Sequence, residues 1–169
     1  MVPKPLKEKE ELPVTRSGKV PKRNIPPDPV HGSVLVQKFI NKIMEKGRKS
    51  LAERIVYSAF EEIKKKVNKD PLEIFEKAIE NVAPLLVVKA RRVGGATYQV
   101  PIEVSKVRAQ AMAMRWIRSV CEDRPGKSMI ENLAAELIDA YNGAGASIKK
   151  REDLHKTAEA NRAFAHFRW

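Results

Sequence analysis

Hydrophobic positions recur every three or four residues through most of this chain, which is the spacing of one face of an α-helix. Segments 50–53 and 128–131 both have the Ser-x-x-Glu pattern of a capping box. Asp70 precedes a proline and predicts a helix start, and Gly47 is placed to end the first helix. The sequence therefore predicts six helices, beginning after Ser33, Ser50, Asp70, Ser105, Ser128 and about Ser147, with the last ending near Phe164.

The same spacing predicts which side chains enter the core. The second helix should bury Leu51, Ile55, Ala59, Ile63 and Val67, and the fourth should bury Val107, Ala111, Met114, Ile117 and Cys121. On this face Cys121 is interpreted as a small buried thiol rather than a nucleophile. Trp116 is assigned to the core or its rim.

One segment, at about 86–104, departs from the helical pattern. Its residues alternate with a period of two on both sides of Gly94 and Gly95, which predicts a β-hairpin. Pro101 cannot donate a ladder hydrogen bond, so we expect it at an edge or bulge position. Because a two-stranded ribbon is marginally stable alone in water, the arginines on it indicate an anionic partner. The alternative is a surface hairpin without a partner.

These elements together predict a mainly α protein: a single bundle of about six helices with a protruding two-stranded β-hairpin and an extended basic N-terminal arm. The arm is assigned to residues 1–29, because this Pro-rich stretch has too little apolar surface to offset the entropy of ordering. Residues 30–169 are assigned to one helical domain, which includes the hairpin.

The charge balance points to a polyanion as the partner. The 169 residues include 33 Lys and Arg against 21 Asp and Glu, a formal net charge of +12. The sequence has no apolar run of transmembrane length, so no membrane partner is expected. Its single cysteine is typical of a reducing compartment and favours a cytoplasmic location.

Four groups of basic residues are the predicted nucleic-acid contacts. They are Arg16, Lys19, Lys22 and Arg23 in the arm; Lys46, Arg48 and Lys49 after the first helix; Lys89, Arg91 and Arg92 in the hairpin; and Lys149, Lys150, Arg151, Lys156, Arg162 and Arg168 with His155 and His166 near the C-terminus. Arg108, Arg115 and Arg118 add forked donors suited to phosphate. Tyr98 and Trp169 are the aromatic candidates for stacking on unpaired bases. Lys64 to Lys66 are interpreted as an exposed face paired with the preceding glutamates.

No catalytic constellation is apparent in the sequence. Gly94 and Gly95 fit neither phosphate-binding glycine motif, and the three histidines are far apart without metal-ligand spacing. No cofactor is therefore expected. Two alternatives from other classes stay open: a nucleoid-type DNA-binding protein, which would need a recognition helix, and an RNA-modifying enzyme, which would need a cofactor loop or nucleophile.

Seven runs of the sequence match a known pattern across residues 18–169. They are Pro21 to Arg23, Pro27 to Pro29, Phe39 to Met44, Phe75 to Asn81, Lys89 to Pro101, Lys149 to Asp153 and Ala158 to His166. The hairpin run KARRVGGATYQVP and the C-terminal pair KKRED and AEANRAFAH are highly specific. On these motifs the chain resembles the bacterial-type family of small-subunit ribosomal protein seven.

The resemblance implies a structural protein of the 30S subunit that binds 16S rRNA in its 3′ major domain and nucleates assembly of the head. It implies a place near the tRNA exit site, with the hairpin toward exit-site tRNA and mRNA, and small-subunit proteins nine and eleven as neighbours. A cytoplasmic ribosome is favoured over an organellar one. By matching motif, the rRNA-binding residues are Lys22, Arg23, Lys89, Arg91, Arg92, Lys149, Lys150, Arg151 and Arg162. The hairpin residues near tRNA and mRNA are Arg92, Gly94, Gly95, Thr97 and Tyr98.

Three departures from the family pattern stand out. Residues 1–12 are an additional Pro-rich, acid-containing segment. The stretch from Ser105 to Arg108 replaces one that usually has a proline and more arginine, and Phe167 stands where a tyrosine is common. We therefore expect different RNA pairing at the hairpin base and one hydroxyl fewer near the C-terminus.

Overall fold

The computed structural model describes residues 24–167 as six α-helices, one antiparallel hairpin and a terminal 3₁₀ helix. The elements are α1 (Val34–Ile43), α2 (Lys49–Val67), α3 (Pro71–Val82), β1 (Leu86–Val93), β2 (Ala96–Glu103), α4 (Lys106–Asp123), α5 (Met129–Tyr141), α6 (Ala146–Ala160) and the 3₁₀ helix (Arg162–Phe167). For these residues the predicted mainly α bundle with a β-hairpin is confirmed. Most of the predicted arm, residues 1–23, lies outside the described part of the chain.

The core forms where α5 packs against α2, α3 and α4. Three phenylalanine rings meet at its centre: Phe75 lies 5.1 Å from Phe39 and 5.6 Å from Phe60 between ring centroids. Leu133 and Leu137 of α5 are fully buried beside them. Tilted aromatic contacts of this kind hold a core together in one arrangement and give the outer elements a rigid base.

Four helices begin directly after the predicted residue: α1 after Ser33, α3 after Asp70, α4 after Ser105 and α5 after Ser128. At two of these starts a side chain caps the helix. The Asp70 carboxylate accepts a hydrogen bond from the Leu72 N–H at 3.1 Å, and the Ser128 hydroxyl accepts one from the Glu131 N–H at 3.3 Å. The assignment of Cys121 to the core is also confirmed, because the residue is 2% exposed and burial raises the pKa of its thiol to about 12.

The predicted start of α2 was wrong. The helix begins at Lys49, so Ser50 lies inside the first turn and its side chain makes no cap. Lys46 and Gly47 both have positive φ, at 50° and 76°, and the turn they form directs the chain into the helix earlier than expected. Gly47 therefore lies in this turn, and α1 already ends at Ile43.

Two predicted core residues are exposed. Leu51 is 45% exposed and Val107 is 70% exposed, whereas Ala52 and Ala109 in the same first turns are buried, so the buried face of each helix is centred on other residues than predicted. The buried face of α2 is instead made by Ala52, Val56, Ala59, Phe60 and Ile63. Helical spacing predicts a buried stripe, but the packing of the neighbouring helices selects which residues form it.

The chain enters the bundle through a buried aspartate. Asp28 is 1% exposed, accepts hydrogen bonds from the Tyr57 hydroxyl at 2.5 Å and from the His31 N–H at 2.9 Å, and so fixes residues 24–33 to α2. Burial, followed by the hydrogen bond to Asp28, raises the pKa of Tyr57. Residues 24–29, the part of the predicted arm that the structure describes, are thus held against α2 by Asp28.

Candidate nucleic-acid interface

The hairpin presents its cations on an ordered ribbon. Strands β1 and β2 pair antiparallel in register from Leu86 opposite Glu103 to Val93 opposite Ala96. Gly94 and Gly95 both have positive φ, at 57° and 90°, as a two-residue turn of type I′ requires.

The tip of the hairpin is accessible from outside. Lys89, Arg92, Gly94, Gly95 and Thr97 are exposed, and Arg91 is half-buried. The hairpin residues that the sequence predicted to be close to RNA are therefore exposed, apart from the half-buried Arg91 and Tyr98.

Contacts at three levels hold the base of the ribbon against α6 and the 3₁₀ helix. The Leu85 N–H donates to Nε2 of His155 at 3.0 Å, and Val100 is fully buried. Further out, the Tyr98 ring lies 5.1 Å from the ring of Phe164 and 5.2 Å from that of Phe167. Tyr98 therefore packs within the protein, and its stacking on an RNA base remains a prediction.

His155 differs from the cations among which it was grouped. Burial, followed by repulsion from Arg151, lowers the pKa of His155 below its ordinary value. Its Nε2 must also be unprotonated to accept the hydrogen bond from Leu85. This histidine is neutral at physiological pH and joins α6 to the hairpin, so it adds no positive charge to the surface.

A buried carboxylate places α6. Glu136 of α5 is fully buried and accepts hydrogen bonds from the Ser147 N–H at 2.9 Å, from the Ser147 hydroxyl, and from Nη2 of Arg124 at 2.6 Å. A Cβ added at Gly145, whose φ is +99°, would lie 2.9 Å from Oε1 of Glu136, so only glycine leaves room for this contact. A negative charge at the N-terminus of α6 also suits the helix dipole.

The three basic residues at the start of α6 have different surroundings. Lys149 is exposed, whereas the ammonium group of Lys150 donates to the Ser119 hydroxyl at 3.2 Å. Arg151 donates to the backbone carbonyl of Asn81 and lies 3.5 Å from the Glu152 carboxylate. Lys149 is thus fully available for an external phosphate, and the other two residues also connect α6 to α4 and α3.

All three nitrogen atoms of the Arg118 guanidinium donate to acceptors within the protein. Its Nη1 donates to the carbonyl of Lys42 at 2.8 Å, its Nε to Glu122 at 2.6 Å, and its Nη2 to Glu45. The guanidinium therefore joins α4 to the end of α1. Contact of Arg118 with rRNA remains a prediction.

Arg108 and Arg115 are exposed on α4, and Arg162 is exposed in the 3₁₀ helix. In the turn before α2, Lys46 and Arg48 are exposed, and Lys49 forms an i, i+4 pair with Glu53 at 3.4 Å. Lys22 and Arg23 of the predicted set lie outside the described residues, as does Trp169.

Two basic residues near this turn were missed. Arg124 and Lys127 follow α4 and line the same cavity as Lys46 and Arg48. The sequence offered a weak signal, since both residues belong to a loop between two helices. Their nearness to residues some 80 positions away required the fold.

The described basic residues therefore form two main surfaces. One combines the hairpin with α6 and the 3₁₀ helix, and the other surrounds the turn before α2. Within residues 24–167, no helix combines the length and apolar composition needed to cross a membrane.

Comparison with known proteins identifies the family. The sequence profile described as ribosomal protein S7p/S5e matches residues 15–162. The small ribosomal subunit protein uS7 of Carboxydothermus hydrogenoformans is 58% identical over 154 residues, which cover 91% of this chain and 99% of the relative. The uS7 proteins of Natranaerobius thermophilus, 56% identical over 92% of this chain and 100% of the relative, and of Thermotoga neapolitana, 56% identical over 91% and 99%, are similarly close. The chain therefore belongs to the S7 family of small-subunit ribosomal proteins.

Proposed function

We propose that this protein binds 16S rRNA directly in the 3′ major domain and nucleates assembly of the head of the 30S subunit. Its family membership and its net charge of +12 support this role. The observation that carries the proposal is the pairing of the ordered ribbon with α6. Together they present Lys89, Arg92 and Lys149 on adjoining elements, and no carboxylate within residues 24–167 pairs with any of the three.

The mechanism is positional rather than chemical. Basic side chains neutralise rRNA phosphates and release counterions, while contacts to the backbone and its shape set the orientation of the protein. Because the protein then prefers the folded junction over the unfolded one, binding shifts the RNA toward its folded state. No catalytic step and no cofactor are part of this proposal.

The residues assigned to this interface fall into two sets. The first set consists of exposed cations, of which Lys49 alone has a carboxylate partner among the described residues: Lys46, Arg48, Lys49, Lys89, Arg92, Arg108, Arg115, Lys149 and Arg162. The second set has contacts within the protein or is half-buried: Arg91, Arg118, Lys150 and Arg151. Lys22 and Arg23 belong to the proposal through the family motif alone.

The position on the ribosome is the finer part of the proposal. The protein would lie near the tRNA exit site, with the tip from Arg92 to Thr97 directed at exit-site tRNA and mRNA, and Tyr98 behind it. Small-subunit proteins nine and eleven would be neighbours. The bacterial origin of the relatives supports a cytoplasmic rather than an organellar ribosome.

The test is a nitrocellulose-filter titration of the full chain against a 3′-domain transcript of 16S rRNA, with duplex DNA as competitor. We expect tight binding that weakens steeply with salt and that excess duplex DNA does not displace. Co-sedimentation with 30S particles at high magnesium, with protection of 3′-domain nucleotides, gives the location. Equal binding to duplex DNA would favour the nucleoid-type alternative instead.

A further inference from the structure

A cavity of about 450 Å³ opens between the turn before α2, the end of α4 and the start of α5. Part of its lining is apolar and part is positively charged. Leu51, Ile55 and Met129 supply apolar surface, and Lys46, Arg48 and Lys127 supply positive charge. The volume falls in the range of roughly 300–1,000 Å³ typical of pockets for organic ligands, which is more than a bare phosphate needs.

The charge in this cavity favours an anion. Glu45 and Glu122 also line it, but both carboxylates are bound to Arg118. Among the described residues, no carboxylate pairs with Lys46, Arg48 or Lys127. The two carboxylates share one guanidinium, which leaves one negative charge against these three cations, so the charge balance of the cavity stays positive.

The N-terminus of α2 forms part of the wall, through Arg48, Leu51 and Ala52. No side chain caps this 19-residue helix. The N–H of Lys49 donates to the Gly47 carbonyl at 2.8 Å and that of Ala52 to the Arg48 carbonyl at 3.3 Å. The first-turn donors without a partner among the described residues are therefore those of Ser50 and Leu51. The helix dipole also places partial positive charge at this end. Such an end attracts a phosphate.

A third observation comes from the α5 wall. Asn132 lines the cavity and is 2% exposed. Its Nδ2 donates to the carbonyls of Cys121 at 3.2 Å and Arg124 at 2.9 Å, which fixes the orientation of the amide. Its Oδ1 has no hydrogen-bond partner among the described residues and almost no accessible surface, so a donor on a ligand satisfies this buried acceptor once the cavity wall around Asn132 shifts.

We propose that this cavity receives one unstacked nucleotide of the bound rRNA, with the base against Leu51 and Met129 and the phosphate at the start of α2. Unpaired nucleotides are the usual targets of base-specific RNA recognition, and the ring or amino N–H groups of a base are donors suited to Asn132. This inference rests on the proposed rRNA binding. It adds Lys127, Leu51 and Met129 to the interface as one nucleotide subsite.

The test uses two variants of the full chain in the 3′-domain filter titration. Leu51→Ala removes apolar contact from an exposed position, and we expect affinity to fall about five- to tenfold with an unchanged salt slope. Lys127→Gln removes one phosphate contact, and we expect the salt slope to fall by about 0.7 to 0.9. Ultraviolet cross-linking of the wild-type complex should join RNA to the peptides that carry Leu51 or Met129.

Each variant has a matched control outside the cavity. Val30→Ala truncates an apolar side chain that is 64% exposed, and Lys65→Gln removes an exposed lysine from the far end of α2. Both controls should bind as the wild type does, and thermal unfolding should be similar for all four variants.

The outcomes separate the two proposals. If the wild-type chain fails to bind the transcript, the proposed function is wrong. If the wild type binds and both cavity variants match their controls, the nucleotide subsite alone is overturned. If Lys127→Gln weakens binding but Leu51→Ala does not, the cavity holds a phosphate without its base, and the proposal is overturned in that form.

Discussion

The arginines of the hairpin and those of the helical bundle have opposite surroundings. Arg92 projects from the ribbon without a carboxylate partner in the described part of the chain, whereas Arg118 makes three contacts that join α4 to the end of α1. Arg124 is similarly committed to the buried Glu136. Residue type therefore does not separate an arginine that binds a partner from one that holds the fold; the acceptors within reach decide.

The strongest test of this difference removes the most deeply buried acceptor. Glu136→Ala leaves Arg124 and the Ser147 N–H without their partner, and we expect the free energy of unfolding to fall by about 3–5 kcal/mol. Urea denaturation measures the change. Glu76→Ala, at an exposed position on α3, should stay within about 0.5 kcal/mol of the wild type. A loss below about 1 kcal/mol at Glu136 would mean that this carboxylate does not hold α6.

Arg118→Ala should have the next largest effect on stability. It breaks charge-assisted hydrogen bonds from a side chain that is 28% exposed, so we expect a loss of about 1–3 kcal/mol in urea denaturation. Arg115→Ala is the control, because Arg115 lies on the same helix and is exposed. If both variants were equally stable, the contacts that Arg118 makes between α4 and the end of α1 would contribute nothing measurable to the free energy of unfolding.

Arg92→Ala should leave stability almost unchanged and weaken RNA binding instead. We expect the free energy of unfolding to stay within about 0.5 kcal/mol of the wild type, since the exposed side chain contacts little of the protein. The salt slope of binding to the 3′-domain transcript should fall by about 0.7 to 0.9, with affinity reduced several-fold. An unchanged slope would show that Arg92 does not contact a phosphate.

The smallest effect is expected from pH at the hairpin base. The folded-state pKa of His155 lies below its ordinary value of 6.5, so the unfolded chain binds more protons as pH falls. The stability that the neutral ring provides is complete above pH 6.5 and is lost as pH falls toward the folded-state pKa. The stability difference between wild type and His155→Ala should therefore be larger at about pH 7.5 than at about pH 5.5. Equal differences at both pH values would exclude this linkage.

Local chemistry explains which features were predictable. Asp70 and Ser128 cap helices through bonds to residues two or three positions away, and Gly94 with Gly95 sets a turn by its own backbone freedom. Leu51 and Val107 were misassigned because the packing of neighbouring helices selects the buried face, which in these first turns contains Ala52 and Ala109 instead. Cap sequences also failed at Ser50, where a turn several residues earlier determined the start of the helix.

In the candidate interface, too, some features were predictable from the sequence and others required the fold. Composition and motif indicated an RNA partner and most of the basic residues, since charge and residue order are properties of the chain itself. The neutral state of His155, the internal use of Arg118 and the cavity shared by Lys46 and Lys127 depend on contacts between residues far apart in sequence.

The sequence by itself determined the number and order of the α-helices, the hairpin and the class of partner, because these follow from periodicity, caps and net charge. The tertiary structure alone decided which cations face outward and which are bound within. Two buried carboxylates, Asp28 and Glu136, take their partners from α2 and α6 respectively, and so set where the arm begins and where the basic helix lies. A buried charge must be paired, and only the fold supplies its partner.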